Sequence, residues 1–91
     1  MKKHYHVFFS GTVQGVGFRY TARSLAGKYS ICGWTANCSD GRVELDIEGK
    51  TSDLDDFLSE LKEEFKIYIK DFQMEKLPYG KEYDDFRIRF Y

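Results

Sequence analysis

Ile31-Cys32-Gly33-Trp34-Thr35-Ala36-Asn37-Cys38-Ser39-Asp40-Gly41-Arg42-Val43-Glu44-Leu45-Asp46-Ile47-Glu48 is the stretch that decides the fold. In its second half Val43, Leu45 and Ile47 alternate with Glu44, Asp46 and Glu48. Successive side chains of a strand point to opposite faces, so this period of two predicts a strand over 42–48 with one face buried and the other wet. Ile31 to Cys38 reads as a second strand. Between them Ser39-Asp40-Gly41 is a turn, and an Asp-Gly pair flanked by apolar alternation is a strong hairpin signal.

Working outward, each side of this hairpin carries a helix and then a strand. Upstream, Ala22, Leu25, Ala26 and Tyr29 fall at helical spacing over Arg19 to about Tyr29, with Gly27 weakening the helix near its end. Before it, Tyr5 to Gly11 is rich in strand formers, and Tyr5, Val7 and Phe9 share one face. Downstream, Leu54, Phe57, Leu58, Leu61 and Phe65 form one apolar stripe. Ser52 is expected to cap that helix, with Asp55 completing a capping-box pattern. Lys66 to about Lys76 is extended but changes parity near Lys70-Asp71, which predicts a bulge or a shift of face. After a turn at Leu77-Pro78-Tyr79-Gly80, Phe86, Ile88 and Phe90 alternate with Arg87, Arg89 and Tyr91 in a final strand. The order is β-α-β-β-α-β with room for one extra short strand. It predicts an α+β fold of the ferredoxin-like split βαβ type, an antiparallel sheet with two helices on one face.

Composition bounds what such a domain can do. Ninety-one residues suffice for one core, so 1–91 is expected to be a single domain. No apolar run approaches the ~20 residues of a membrane helix. The run Val7-Phe8-Phe9 is too short for a signal-peptide core, so a cytoplasmic protein with no membrane partner is expected. Fourteen basic and fifteen acidic side chains leave a net charge of −1, which argues against a nucleic-acid partner. Aromatic residues at 18% point to a core dense in rings. Cys32 and Cys38, on one extended strand, would lie roughly 20 Å apart. A disulfide needs Cα atoms within about 7 Å, so free thiols are expected. His4 and His6 share a strand face without further evident ligands, and no metal site is expected there. Trp34 reads as a packing residue.

Chemistry concentrates between Gly11 and Arg19. Gly15 and Gly17 allow positive φ and let a ligand approach the main chain, whose successive N–H groups can converge on an anion. The helix that follows adds its positive end. Arg19 in the first turn is disfavoured by the helix dipole by about 0.3–1 kcal/mol. An anion held between the guanidinium and the amides would remove that conflict, and guanidinium geometry suits a tetrahedral oxyanion. Two look-alikes fail. Gly15-Val16-Gly17-Phe18-Arg19-Tyr20 begins like a dinucleotide fingerprint, but Tyr20 stands at the third glycine. Gly49-Lys50-Thr51 resembles the end of a phosphate-binding loop whose first glycine would fall at Glu44. Asn37-Cys38-Ser39 is a glycosylation sequon, set aside for lack of a secretory signal.

Gly11-Thr12-Val13-Gln14-Gly15-Val16-Gly17-Phe18-Arg19 resembles the signature loop of the acylphosphatase family. A second signature matches Gly33-Trp34-Thr35-Ala36-Asn37-Cys38-Ser39-Asp40-Gly41-Arg42-Val43-Glu44, and Phe86-Arg87-Ile88-Arg89-Phe90-Tyr91 is similar to the family's final strand. The resemblance implies hydrolysis of a small-molecule acyl phosphate to a carboxylate and inorganic phosphate, with no metal and no cofactor. It carries the phosphate-binding arginine onto Arg19 and the water-orienting asparagine onto Asn37. Its cradle of loop amides falls on Gln14, Gly15, Val16, Gly17 and Phe18, up to Arg19. A monomer is expected. Taken without the resemblance, Asn37 before Ser-Asp-Gly reads first as a turn former.

Two other readings compete. One is a catalytically weak module of the same fold that binds phosphate, acyl phosphate or carbamoyl phosphate. The other is RNA binding, since ferredoxin-like sheets can present aromatics to bases; the net charge and the lack of an RNP1-like string count against it.

Overall fold

The computed structural model describes residues 1–90. Its elements are β1 (Lys2–Gly11), α1 (Phe18–Tyr29), β2 (Cys32–Asn37), β3 (Val43–Lys50), α2 (Thr51–Glu64), β4 (Ile69–Leu77) and β5 (Phe86–Arg89). The predicted hairpin forms, with Thr35 opposite Leu45 and Asn37 opposite Val43. β1 pairs antiparallel with β3 on one side and with β4 on the other. Tyr91, read as the end of the last strand, lies outside the described residues.

The sheet has the order β4-β1-β3-β2-β5 and is mixed, which corrects the expectation of a fully antiparallel sheet. β5 is the extra strand, and it runs parallel to β2 with Gly33 opposite Phe86 and Ala36 opposite Arg89. The reason is the path of the chain. β4 and β5 are consecutive but occupy opposite edges, so residues 78–85 must cross the sheet and bring β5 in alongside β2.

Tyr5, Val7 and Phe9 of β1 and Val43, Leu45 and Ile47 of β3 are buried against Phe18, Ala22, Leu25 and Ala26 of α1 and Leu54, Phe57, Leu58 and Leu61 of α2. The alternating residues therefore face the helices as the patterning requires. Rings tie the layers together: Phe18 lies 5.0 Å from Phe9 and 4.8 Å from Phe65, centroid to centroid, and Phe72 lies 5.0 Å from Phe9. Such pairs add about 0.5–1.5 kcal/mol each beyond the area they bury.

The opposite face departs from expectation. The acidic positions of β3 were predicted to be wet, yet Asp46 and Glu48 are buried, as is His4. Tyr83, from the crossing segment, covers them: its hydroxyl donates to Asp46 Oδ1 (3.0 Å) and its N–H to Glu48 Oε1 (2.9 Å). His4 Nε2 also bonds Asp46, and Trp34 Nε1 donates to the Tyr83 hydroxyl at 3.1 Å. These bonds answer Asp46 and one oxygen of Glu48, while Glu48 Oε2 is buried without a hydrogen-bond partner among the described residues.

At β4, Ser10 pairs with Asp71 and Gly11 with Ile69, so Lys70 is the extra residue of the predicted irregularity, while 65–68 form a turn. The capping box at Ser52 does not form. α2 starts at Thr51 after an extended Lys50 without a side-chain cap. The Thr51 N–H and hydroxyl donate instead to the Met1 carbonyl, at 2.9 and 3.1 Å, because β1 delivers it there. Both cysteines are free and half-buried. Burial raises both thiol pKa values, as do the nearby carboxylates of Glu48 for Cys32 and Glu44 for Cys38. Among the described residues no helix is long and apolar enough to cross a membrane.

Candidate active site

The C-terminal ends of β1 and β2 lie at one end of the sheet, where the 12–17 loop turns into α1. The Thr12 N–H donates to the Tyr68 carbonyl (2.9 Å), and Val13 is fully buried. The Gln14 carboxamide donates to the carbonyls of Cys38 (2.8 Å) and Arg42 (3.0 Å), which fastens the loop to the β2–β3 hairpin. Gly15 and Gly17 take φ of +78° and +84°, a left-handed conformation that costs glycine little. A Cβ at either would meet nothing within 4 Å, so backbone conformation rather than space calls for glycine.

Gly17 is the N-cap of α1, which has no side-chain cap bond and no acidic residue in its first turn. The exposed N–H groups of a helix start and its partial positive charge therefore have no anionic side chain to answer them. Phe18 anchors that turn with its ring in the core, and Arg19 follows it, half-buried. Arg19 makes no ion pair among the described residues; its guanidinium carbon lies 5.2 Å from the Phe90 ring centroid. Arg42, the other cation near the loop, is engaged elsewhere. Its Nε donates to Asp40 at 2.8 Å, and hydrogen bonds from its backbone N–H and guanidinium lower the Asp40 pKa.

Arg19 and Asn37, 18 residues apart in sequence, line one cavity of about 250 Å³ with Val13, Gly15, Gly17, Phe18 and Tyr20. Asn37 is the last residue of β2, and its Oδ1 is buried without a hydrogen-bond partner among the described residues. An orphaned carbonyl oxygen of this kind costs about 1–3 kcal/mol. Among the described residues no carboxylate, imidazole or thiol stands on the wall. Of the anticipated cradle, Gln14 and Val16 do not line the cavity: Gln14 braces the loop and Val16 packs against the core. Val13 and Tyr20 line it without having been singled out in the sequence; the place of Tyr20 beside Arg19 was the available signal. An arginine, a bare helix start and an unpartnered carboxamide oxygen thus surround one hollow.

The family model described as Acylphosphatase matches residues 5–88. An acylphosphatase of Bacillus pumilus (strain SAFR-032) is 41% identical over 87 residues, covering 94% of this chain and 97% of its own. The crystal structure of acylphosphatase from Bacillus subtilis superposes with a TM-score of 0.87 at 31% identity, over 98% of this chain and 99% of that one. The crystal structure of full-length HypF in the phosphate- and nucleotide-bound form matches 98% of this chain but 12% of its own, with a TM-score of 0.83 at 29% identity. The chain belongs to the acylphosphatase family, enzymes that hydrolyse acyl phosphates.

Proposed function

We propose that this enzyme hydrolyses acyl phosphates without a metal, using the Arg19 guanidinium and the backbone N–H groups of Gly15, Gly17, Phe18 and Arg19 to hold the phosphate and Asn37 to position the attacking water. The observation that carries the reading is the single cavity shared by Arg19 and Asn37, with the Asn37 Oδ1 otherwise unpartnered. The left-handed glycines and the uncapped start of α1 support the cradle, since both turn backbone N–H groups toward an anion.

The chemistry suits these groups. A carboxylate leaving group with a pKa of roughly 4–5 needs no proton from a general acid, in keeping with a wall that, among the described residues, carries no carboxylate, imidazole or thiol. Asn37 Oδ1 accepts one O–H of a water and directs its lone pair at phosphorus. The water O–P bond forms as the P–O bond to the carboxylate breaks. The water's proton passes to a phosphate oxygen, and carboxylate and inorganic phosphate are released. Charge that gathers on the three equatorial oxygens meets the Arg19 guanidinium and the N–H groups, donors already in place.

The test is hydrolysis of benzoyl phosphate in EDTA. Wild type turns over under these conditions, and Arg19→Ala and Asn37→Ala each lower kcat about 10²–10³-fold with unchanged far-UV circular dichroism. A wild type that leaves the ester at its spontaneous rate in EDTA defeats the metal-free reading. A variant that keeps wild-type kcat removes its residue from the role.

A further inference from the structure

A second hollow, of about 380 Å³, adjoins the cavity of Arg19 and Asn37 and is lined by Tyr20, Arg23, Phe86, Arg87, Ile88 and Phe90. Tyr20 lines both. The Phe90 ring, on which the Arg19 guanidinium rests, forms another part of the second wall. A group attached to a phosphate at Arg19 therefore finds this hollow as adjoining space, and its size is in the range that small ligands fill.

The lining is unusual in its charge. Arg19 and Arg23 stand four residues apart on one face of α1, a like-charge spacing that destabilises a helix. Among the described residues no acidic side chain lines either hollow. Arg87 is held by Asp85, its Nε 3.0 and 3.2 Å from the two carboxylate oxygens. Arg23 has no ion pair among the described residues; its guanidinium carbon lies 5.4 Å from the Tyr20 ring centroid. Three of the five arginines of a chain with net charge −1 thus border two hollows that share Tyr20, and Arg23 has no ion-pair partner among the described residues. The rings of Tyr20 and Phe90 are 59% and 76% exposed, large apolar surfaces left open beside the site.

We propose that this second hollow is the acyl subsite, and that it selects acyl phosphates whose acyl part carries a second anionic group, received by Arg23. The proposal rests on the placement of the phosphate at Arg19 argued above. Tyr20 and Phe90 flank the acyl body and exclude water from it, and the guanidinium of Arg23 offers paired N–H donors to a carboxylate or phosphate beyond. An acyl group without that second charge leaves Arg23 solvated and gains nothing from it.

The experiment compares 4-carboxybenzoyl phosphate with benzoyl phosphate. The added carboxylate sits at the far end of the same ring and barely alters the leaving group. In wild type at low salt, kcat/KM for the carboxylated ester is about five- to tenfold higher, mainly through KM, as suits a partly exposed ion pair. Arg23→Gln brings the ratio to about one, and Arg23→Lys recovers part of it. 4-Phosphonobenzoyl phosphate, as a third substrate, tells whether the subsite ranks a phosphate-like group above a carboxylate. A wild-type ratio of one or below, with benzoyl phosphate hydrolysed normally, overturns the subsite and leaves the catalytic cavity standing. A ratio that survives Arg23→Gln overturns it equally. Failure to hydrolyse benzoyl phosphate at all brings down the catalytic reading, and this proposal with it.

Discussion

Gly17 serves as the last residue of the loop and the first cap of α1, and its φ of +84° is what lets one residue do both. Because a Cβ there meets nothing within 4 Å, replacing it isolates the conformational term. Gly17→Ala is expected to lower stability by about 1–2 kcal/mol, the cost of holding an L-residue in the left-handed region. Gly17→Asn should lose less, since asparagine visits that region more readily. Urea unfolding of the two variants beside wild type measures both, and equal stability of all three would contradict the conformation. Asn37 shows the limit of residue-level reading. Its type and its place before Ser-Asp-Gly fit a turn former as well as a water holder, and nothing in its neighbours separates the two. The separation comes from the burial of Oδ1 without a partner, on a wall shared with Arg19.

Among the elements, the 12–17 loop is positioned by the hairpin it faces. The two hydrogen bonds from Gln14 to Cys38 and Arg42 link the turn that carries the glycines to the strand end that carries Asn37. Gln14→Leu removes both donors and leaves two carbonyls to find water. It is expected to destabilise by about 1–3 kcal/mol. Because the loop and Asn37 then move independently, kcat should fall at least about tenfold, a misplacement effect on a group that touches no substrate with its side chain. Denaturant midpoints and benzoyl phosphate kinetics on the same preparation check it; unchanged kcat would show that the loop holds its shape without the brace. Gln14 was legible as a loop residue, but its direction was not. A glutamine beside glycines is free to face a ligand or a neighbouring chain segment, and only the position of the hairpin decides.

For the molecule as a whole, the face of the sheet away from the helices holds a network that couples stability to pH. His6 Nδ1 lies 2.6 Å from Asp46 Oδ2 and its Nε2 2.6 Å from Glu44 Oε2, so a proton on each ring nitrogen meets a carboxylate. Burial opposes the charge on His6, but the hydrogen bonds and negative charges of Asp46 and Glu44 outweigh it and raise its pKa above the ordinary 6.5. A raised histidine pKa means that the folded state binds more protons than the unfolded chain between the two values, so stability falls as pH rises through that window. The His6 contribution is complete below about pH 6.5 and is lost as pH passes the raised value. Urea midpoints measured from pH 6 to pH 9 should decline in wild type and flatten in His6→Gln. A variant with the wild-type slope would assign the dependence to other groups.

By itself, the order of residues determined the two helices, the central hairpin, the apolar face of each element and the loop between Gly11 and Arg19. Those features follow from periods of 2 and 3.6 and from the backbone freedom of glycine, all of which are local. Tertiary structure alone decided the parallel pairing of β5 with β2, because Gly33 and Phe86 stand 53 residues apart and no local pattern shows that residues 78–85 carry β5 past the sheet to its side. It likewise decided that the acidic face of β3 is covered, since Tyr83 reaches it only after residues 78–85 cross the strands. The meeting of Arg19 and Asn37 belongs to the same class: two ordinary side chains face one hollow because β1 and β2 end at the same edge of the sheet and Gln14 joins their loops.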